Sequence, residues 1–225
     1  MRQWVIPPAQ HADFVSVMED VLEVSHRPYD PQRPVVCCDE ARKPLVKETC
    51  TPIPAAAGRP ATTDDEYERT GTANLCMMFA PLGGPRRVVV TERRTATDDA
   101  HAVRHWVAEG SPHAEQIVLV QDNLNTHNPA SLYEAFPPEE ARRLIETLEV
   151  HDTPKHGSWL HRAETELGLL SRQGLDHRLP DRATLTAEVS AQCRVDWQFT
   201  TTEARVKLKR LYPVLQPVNS GVLDH

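Results

Sequence analysis

Long apolar runs are missing from this chain. No stretch approaches the roughly 18 residues that a membrane-spanning helix needs, and the apolar part of the N-terminus, Trp4-Val5-Ile6, is too short for a signal peptide. Aromatic residues are scarce at 5%, so the core has to be built from Val, Leu and Ala. The five cysteines show no paired spacing, which speaks against a disulfide framework and suits a reducing compartment. Neither a phosphate-cradling G-x-x-x-x-G-K-[ST] nor a G-x-S-x-G motif occurs. Nucleotide hydrolysis and a serine nucleophile therefore have no support. Positive charge is lacking too: a net charge of −7 and a pI near 5.9 weigh against an autonomous nucleic-acid-binding domain, which is usually basic.

What remains is ordinary for a globular protein, with 40% hydrophobic and 25% charged residues. The 225 residues fit one large domain, on a prior of roughly 100–200 residues per domain. Basic residues do cluster locally, at Arg86-Arg87, Arg93-Arg94 and Arg205 to Arg210. Their plain reading is solvated faces.

Apolar positions at Phe14, Val17, Met18, Val21 and Leu22 predict a helix over 9–24, bounded by Pro7-Pro8 and by His26-Arg27-Pro28. Residues 34–40 read as a short buried strand ending in acid, and 43–70, without a clean period, as an extended loop. Residues 72–80 and 87–91 form a hairpin about the turn at 81–85. Thr97-Asp98-Asp99 is expected to cap a helix running to about Glu109, with Ala102, Val103 and Trp106 on one face. A short apolar strand over 116–121 ends at Asp122. A helix opening at Pro137-Pro138, a strand over 148–151 and a strong helix over 159–175 complete the order. Antiparallel strands first and βα units after predict a mixed sheet flanked by helices.

Asp39 and Asp122 stand in matching places, each at the end of a buried strand, where α/β sheets gather ligands. Two carboxylates brought together there repel unless a cation neutralises them, and hard oxygen donors of this type suit Mg²⁺. A turn cap is the bland alternative for either one. On the helix over 159–175, Leu160, Ala163, Leu167 and Leu170 form the buried stripe. Glu164 and Glu166 lie on opposite flanks, each about 80° from its centre at roughly 100° per residue. Periodicity does not choose between them.

The segments Val35-Val36-Cys37-Cys38-Asp39-Glu40, Tyr67 to Asn74, Asp122-Asn123-Leu124-Asn125-Thr126-His127 and Thr153-Pro154-Lys155-His156-Gly157-Ser158-Trp159-Leu160 resemble the catalytic domain of bacterial insertion-sequence transposases of the mariner-like superfamily. The resemblance runs from about Arg2 to Pro213. It implies an RNase H-like α/β fold, a mixed five-stranded sheet flanked by helices, and a catalytic, metal-binding triad of Asp39, Asp122 and Glu164. It further implies Mg²⁺, with Mn²⁺ as a substitute and two ions in the site. Asn125 and His127 would position a phosphate or water, with capping of the following segment as the other reading of His127. Lys155 and His156 would contact phosphate, Lys acting as a point charge, and Gly157 would let the backbone approach closely. The expected activity is DNA cleavage and strand transfer at transposon-end and target DNA, in a homodimer or larger synaptic complex. Its setting would be the bacterial cytoplasm at the nucleoid, without membrane association.

By the same resemblance residues 1–30 are a linker helix region, 31–215 the catalytic domain and 216–225 a tail. The family places helix-turn-helix modules before this domain. A separately encoded N-terminal DNA-binding part is therefore expected, and weak DNA binding by this chain alone, since phosphate neutralisation supplies most non-specific affinity. The rival expectation is an inactive remnant lacking that region. Two departures from the family pattern are His161 in place of the usual Asn and a shorter stretch over 188–197. A zinc site on His101 and His105, four apart on a helix, finds no third ligand in the sequence, and His151, His156 and His161 are off helical register. Cys37, Cys38 and Cys76 read as small apolar fillers.

Overall fold

The computed structural model describes residues 11–83, 86–122, 127–155, 157, 160–189 and 201–213. Three strands come first: β1 (Val35–Glu48), β2 (Tyr67–Phe79) and β3 (Arg86–Thr91). They pair antiparallel in succession. β4 (Ile117–Gln121) then lies parallel on the other side of β1, and β5 (Leu148–Asp152) parallel to β4. The result is one mixed five-stranded sheet in the order β3-β2-β1-β4-β5. The helices are α1 (Ala12–Ser25), α2 (Ala96–His105), α3 (Ala130–Ala135), α4 (Pro138–Thr147), α5 (Arg162–Gln173), α6 (Arg182–Val189) and α7 (Thr201–Lys207).

Side-chain alternation along the strands divides the core in two. Val35 and Cys37 of β1 and Val118 and Val120 of β4 face α5, packing with Ala163, Leu167 and Leu170. Val36 and Cys38, with Ile117 and Leu119, face α2, α3 and α4, where Trp106, Leu132 and Leu144 fill the layer. All five residues of β4 are buried, as expected of a parallel strand covered on both faces. With so few aromatics, each buried Leu contributes about 1.5–3 kcal/mol. Of the predicted stripe, Ala163, Leu167 and Leu170 lie on α5 and in the first of these layers. Leu160, equally buried, precedes the N-cap His161 and packs instead with Phe14, Met18 and Leu22 of α1.

Two sequence expectations are corrected. The region 43–70 is not all loop: β1 continues to Glu48 and β2 begins at Tyr67, with a register shift at Leu45/Val46. The low-hydrophobicity ends hid this, because past Cys38 the strand pairs with β2 alone. Its outer edge is covered instead by the chain after α5, through Val46 N–H to Leu179 O at 2.7 Å and the Lys43 ammonium to Leu175 O. Proline is tolerated along such an unpaired edge, which suits Pro44. The second correction concerns α2. Its N-cap is Thr95, in a capping box with Asp98, two residues before the expected cap, and the helix closes in a π-helical turn over Trp106–Gly110.

The edge strand β5 is tied to the start of the domain by Glu149, which meets Arg27 at 2.8 Å and Arg33 at 2.5 Å, with His151 at 3.0 Å. Burial alone would raise its pKa, but Arg27, His151 and Arg33 outweigh it and hold it at about 2. A depressed carboxylate stabilises the fold fully above its unfolded pKa near 4.3, and that stability is lost as pH falls through about 2. Glu149→Gln is thus expected to cost about 1 kcal/mol at pH 6, a modest figure because both arginines are 40% exposed or more. The gap between variant and wild type should close towards pH 2. Urea midpoints across that range check it.

Candidate active site

Register sets Asp39 and Asp122 level on neighbouring strands, Asp39 within β1 and not, as expected, at its end. Cys38 lies opposite Gln121 in the parallel pair, so Asp39 and Asp122, one residue further on each strand, are level. Asp39 shares the parity of the β1 residues that face α5, and Asp122, just past β4, meets His127. Asp39 is buried, at 8% exposure. One of its oxygens accepts the Glu40 N–H at 2.7 Å, and the other lies 3.4 Å from His161 Nδ1. The His161 ring is itself fully buried and its Nε2 is 3.1 Å from Val120 O. A carbonyl can only accept, so Nε2 carries the proton. His161, standing where the resembling family has Asn, thereby ties the start of α5 to β4 and lies beside Asp39 without a hydrogen bond to it.

Glu164 follows in the first turn of α5 and is exposed. Glu166 is buried at 1% exposure and pairs with Arg86 of β3 at 3.0 Å. Two positions apart on a helix is roughly 200° of rotation. With Glu166 turned to β3 at one margin of the sheet, Glu164 is turned away from it.

The backbone beyond the acids is pinned. Gln121 Nε2 donates to His127 O at 2.8 Å and to Asp152 Oδ1 at 3.0 Å, and Thr153 N–H donates to Gln121 O at 2.8 Å. Gly157 N–H bonds Pro154 O at 2.8 Å, and a Cβ on Gly157 would stand 2.5 Å from Pro154 Cγ. Glycine is required by that close approach. Lys155, next to it, is exposed. Asn125 and His156 lie outside the described residues.

His127 departs from its expected place. Its ring has no exposure and lies between two carboxylates, with Nδ1 3.1 Å from Asp99 Oδ1 and Nε2 2.8 Å from Asp122 Oδ1. In distance these are ion pairs, although their angles fall short of good hydrogen bonds. Burial alone would lower the ring's pKa, but Asp122 and Asp99 outweigh it and hold it up at about 10. A ring so enclosed turns neither nitrogen towards a phosphate. Asp99 and Glu40 were not anticipated. Glu40 pairs with Arg94, and burial raises its carboxyl despite that cation. The available signal for Asp99 was the Asp98-Asp99 doublet at a helix start that needs only one acid for its cap.

Ligand atoms of Glu40, Asp99 and His127 fall within 4.8 Å of one another, as do those of Cys38, Cys76 and Asp99. The Cys38 thiol is pushed well up by its contact with Cys76 and by burial, which keeps it protonated and a poor metal ligand. His105 pairs with Glu109 at 3.2 Å and His101 packs edge-on against Phe136, so this helical pair does not face a shared ion. The arginine clusters are also engaged, through Arg86–Glu166, Arg87–Glu109, Arg94–Glu40 and Arg205–Glu19.

Asp39 and Asp122 provide oxygen donors of the type hard divalent cations take. Asp122 Oδ1 is buried against His127 Nε2, so the other Asp122 oxygen is the one a cation would take. The donor set fits Mg²⁺ or Mn²⁺.

Residues 34–186 match the family described as DDE superfamily endonuclease. No curated protein sequence matches the chain. Among solved structures, the chain is similar to the Mos1 mariner paired-end complex with Mn, at 16% identity and a TM-score of 0.51, covering 84% of this chain and 58% of that one. It is also similar to the Mos1 strand transfer complex, at 14% identity and a TM-score of 0.56, covering 86% of this chain and 60% of that one. The chain thus spans under two thirds of the length of these transposase chains. At such identities the likeness establishes the fold, which is RNase H-like.

Proposed function

The chain belongs to the DDE superfamily endonucleases, and from that premise we propose that it is the catalytic domain of a bacterial insertion-sequence transposase of the mariner-like superfamily, cutting DNA at element ends and joining them to target DNA. One observation carries the reading: Asp39 and Asp122 stand level on two neighbouring parallel strands, Asp39 within β1 where its pairing with β4 ends and Asp122 just past the end of β4, beside the first turn of the helix that bears Glu164.

In this reading Asp39, Asp122 and Glu164 hold divalent cations, Mg²⁺ or Mn²⁺, two in number. Bound there, they supply Lewis-acid stabilisation of a phosphodiester displacement and a more acidic attacking water. His161 keeps the start of α5 against β4, and the Gln121 contacts hold the returning chain at the end of that strand. Lys155, exposed after β5, offers a point charge to a phosphate. The first reaction is hydrolysis at an element end. The second exchanges one phosphodiester for another, which asks for no external energy source. Transposon-end DNA, target DNA and a dimeric or larger synaptic assembly are the partners, and the Mos1 structures support this as paired-end and strand-transfer complexes. With a net charge of −7, this chain is expected to hold DNA weakly by itself. No helix among the described residues is long and apolar enough to cross a membrane.

The test is Mn²⁺ titration calorimetry on the full chain and on Asp39→Ala, Asp122→Ala and Glu164→Ala. Each substitution is expected to weaken binding by at least about tenfold, the cost of one lost ligand contact of about 1.4 kcal/mol. A variant that binds as the wild type does removes that residue from the site.

A further inference from the structure

The imidazole of His127 reaches across the end of the sheet, from the Asp122 side to helix α2 on the other face. We propose that Asp99 and His127 act as a positioning pair for Asp122. The Asp99 carboxylate, behind the sheet, holds the imidazole, and the imidazole sets the Asp122 carboxylate so that its second oxygen is presented to a divalent cation. The inference rests on the reading of Asp122 as a metal ligand.

Asp99 has no other evident task. At 4% exposure it is a carboxylate taken out of water, which requires a strong partner. Its own helix does not use it, since the cap is made by Thr95 and Asp98. Its backbone N–H is already bonded to Thr95 O at 3.2 Å. The partners of its side chain are His127 Nδ1 at 3.1 Å and the Cys38 thiol, which donates at 3.8 Å. Cys38 belongs to β1, next to Asp39, so Asp99 is braced against the strand that carries the other acid.

His127 is equally constrained. Its ring is fully enclosed and its carbonyl is held by Gln121, whose amide is also anchored on Asp152. Backbone and ring are therefore set from different elements: β4 and β5 hold the one, α2 the other. Nε2 then meets Asp122 Oδ1 at 2.8 Å. With that oxygen engaged, the carboxylate's rotation is no longer free, and the direction of its second oxygen follows. Partners of metal-ligating groups that act in this way typically change metal affinity about 10–100-fold when removed. The competing arrangement, an ion held directly by Glu40, Asp99 and His127, is disfavoured because Arg94 already sits on Glu40 and Nδ1 already sits on Asp99.

The experiment uses the full chain as wild type, Asp99→Asn, Asp99→Ala, Asp122→Ala and His127→Gln, with cooperative thermal unfolding as the check on folding. Mn²⁺ affinity is measured by calorimetry, and the imidazole signals by NMR on histidine-labelled protein, His127→Gln identifying the resonance. Asp99→Ala is expected to weaken Mn²⁺ binding about 10–100-fold and to displace the His127 signal. Asp99→Asn, whose amide oxygen still accepts from Nδ1, should lose less. Folded Asp99 variants that bind Mn²⁺ as the wild type does would overturn the inference. So would an ion retained in Asp122→Ala but lost in Asp99→Asn, which would assign the metal to the Glu40 group. A wild type that binds no Mn²⁺ defeats the metal reading and this inference with it. The His127 signal, still moved by Asp99→Ala, would mark that failure as one of the metal and not of the contact.

Discussion

Asp39→Asn and Asp122→Asn are expected to lower Mn²⁺-dependent nicking of supercoiled DNA by about a thousandfold or more, with the fold intact. Lewis-acid stabilisation by a bound ion is worth several kcal/mol, and each 1.4 kcal/mol is tenfold in rate, so losing about 4 kcal/mol accounts for three decades. The two acids stand level on neighbouring strands, where carboxylates brought together without a cation repel. Replacing Asp39 by its neutral isostere relieves that repulsion, so its metal-free unfolding temperature should stay within a few degrees of wild type. Asp122→Asn also takes a carboxylate from the buried His127 ring and should unfold at a lower temperature while still folding. Mn²⁺ should separate the proteins. At about 100 times its dissociation constant, a ligand adds about 2.7 kcal/mol to the native state. For a chain of this size, that is a rise of about 5–10 °C. Wild type should show it and the variants should not. Nicking that survives in Asp39→Asn would show that the strand-end acids are not the metal site. Loss of activity together with a collapsed unfolding temperature would point to a structural role instead.

The second large effect separates two glutamates that lie two residues apart. Glu166→Ala leaves the Arg86 guanidinium without its carboxylate in a place where both side chains are 8% exposed or less. Breaking one half of a buried pair costs about 3–5 kcal/mol, or about 10 °C in unfolding temperature for a domain of this length. Replacing both residues with apolar ones of similar volume, Arg86→Met with Glu166→Leu, should recover much of that loss, because the penalty lies in breaking a buried pair from one side. Glu164→Ala should behave in the opposite way. An exposed helix position away from such a pair changes stability by about 0.5 kcal/mol or less, yet Mn²⁺ binding and nicking should fall. If Glu166→Ala is stable and loses metal, while Glu164→Ala keeps it, the third acid is Glu166 and the proposed triad must be redrawn.

Local pattern was enough for much of this protein. The order of the five strands, the apolar positions within α5 and the acids that follow the buried parts of β1 and β4 are legible from periods of two and 3.6 residues. A residue's neighbours along the chain report those periods directly. The ends of β1 and β2 did not show, because a strand paired on one side only needs few apolar residues, and the partner that covers its outer edge comes from beyond α5. The choice between Glu164 and Glu166 was likewise absent from periodicity, which puts both on the flanks of one stripe. Arg86, 80 positions earlier, buries one of them and leaves the other exposed. The same holds for His127, whose ring is claimed by Asp99 from a helix on the opposite face of the sheet. Hydrophobic spacing determines which face of an element is buried. Which charge meets which is decided by pairings between distant segments, and these exist only once the sheet has brought those segments together.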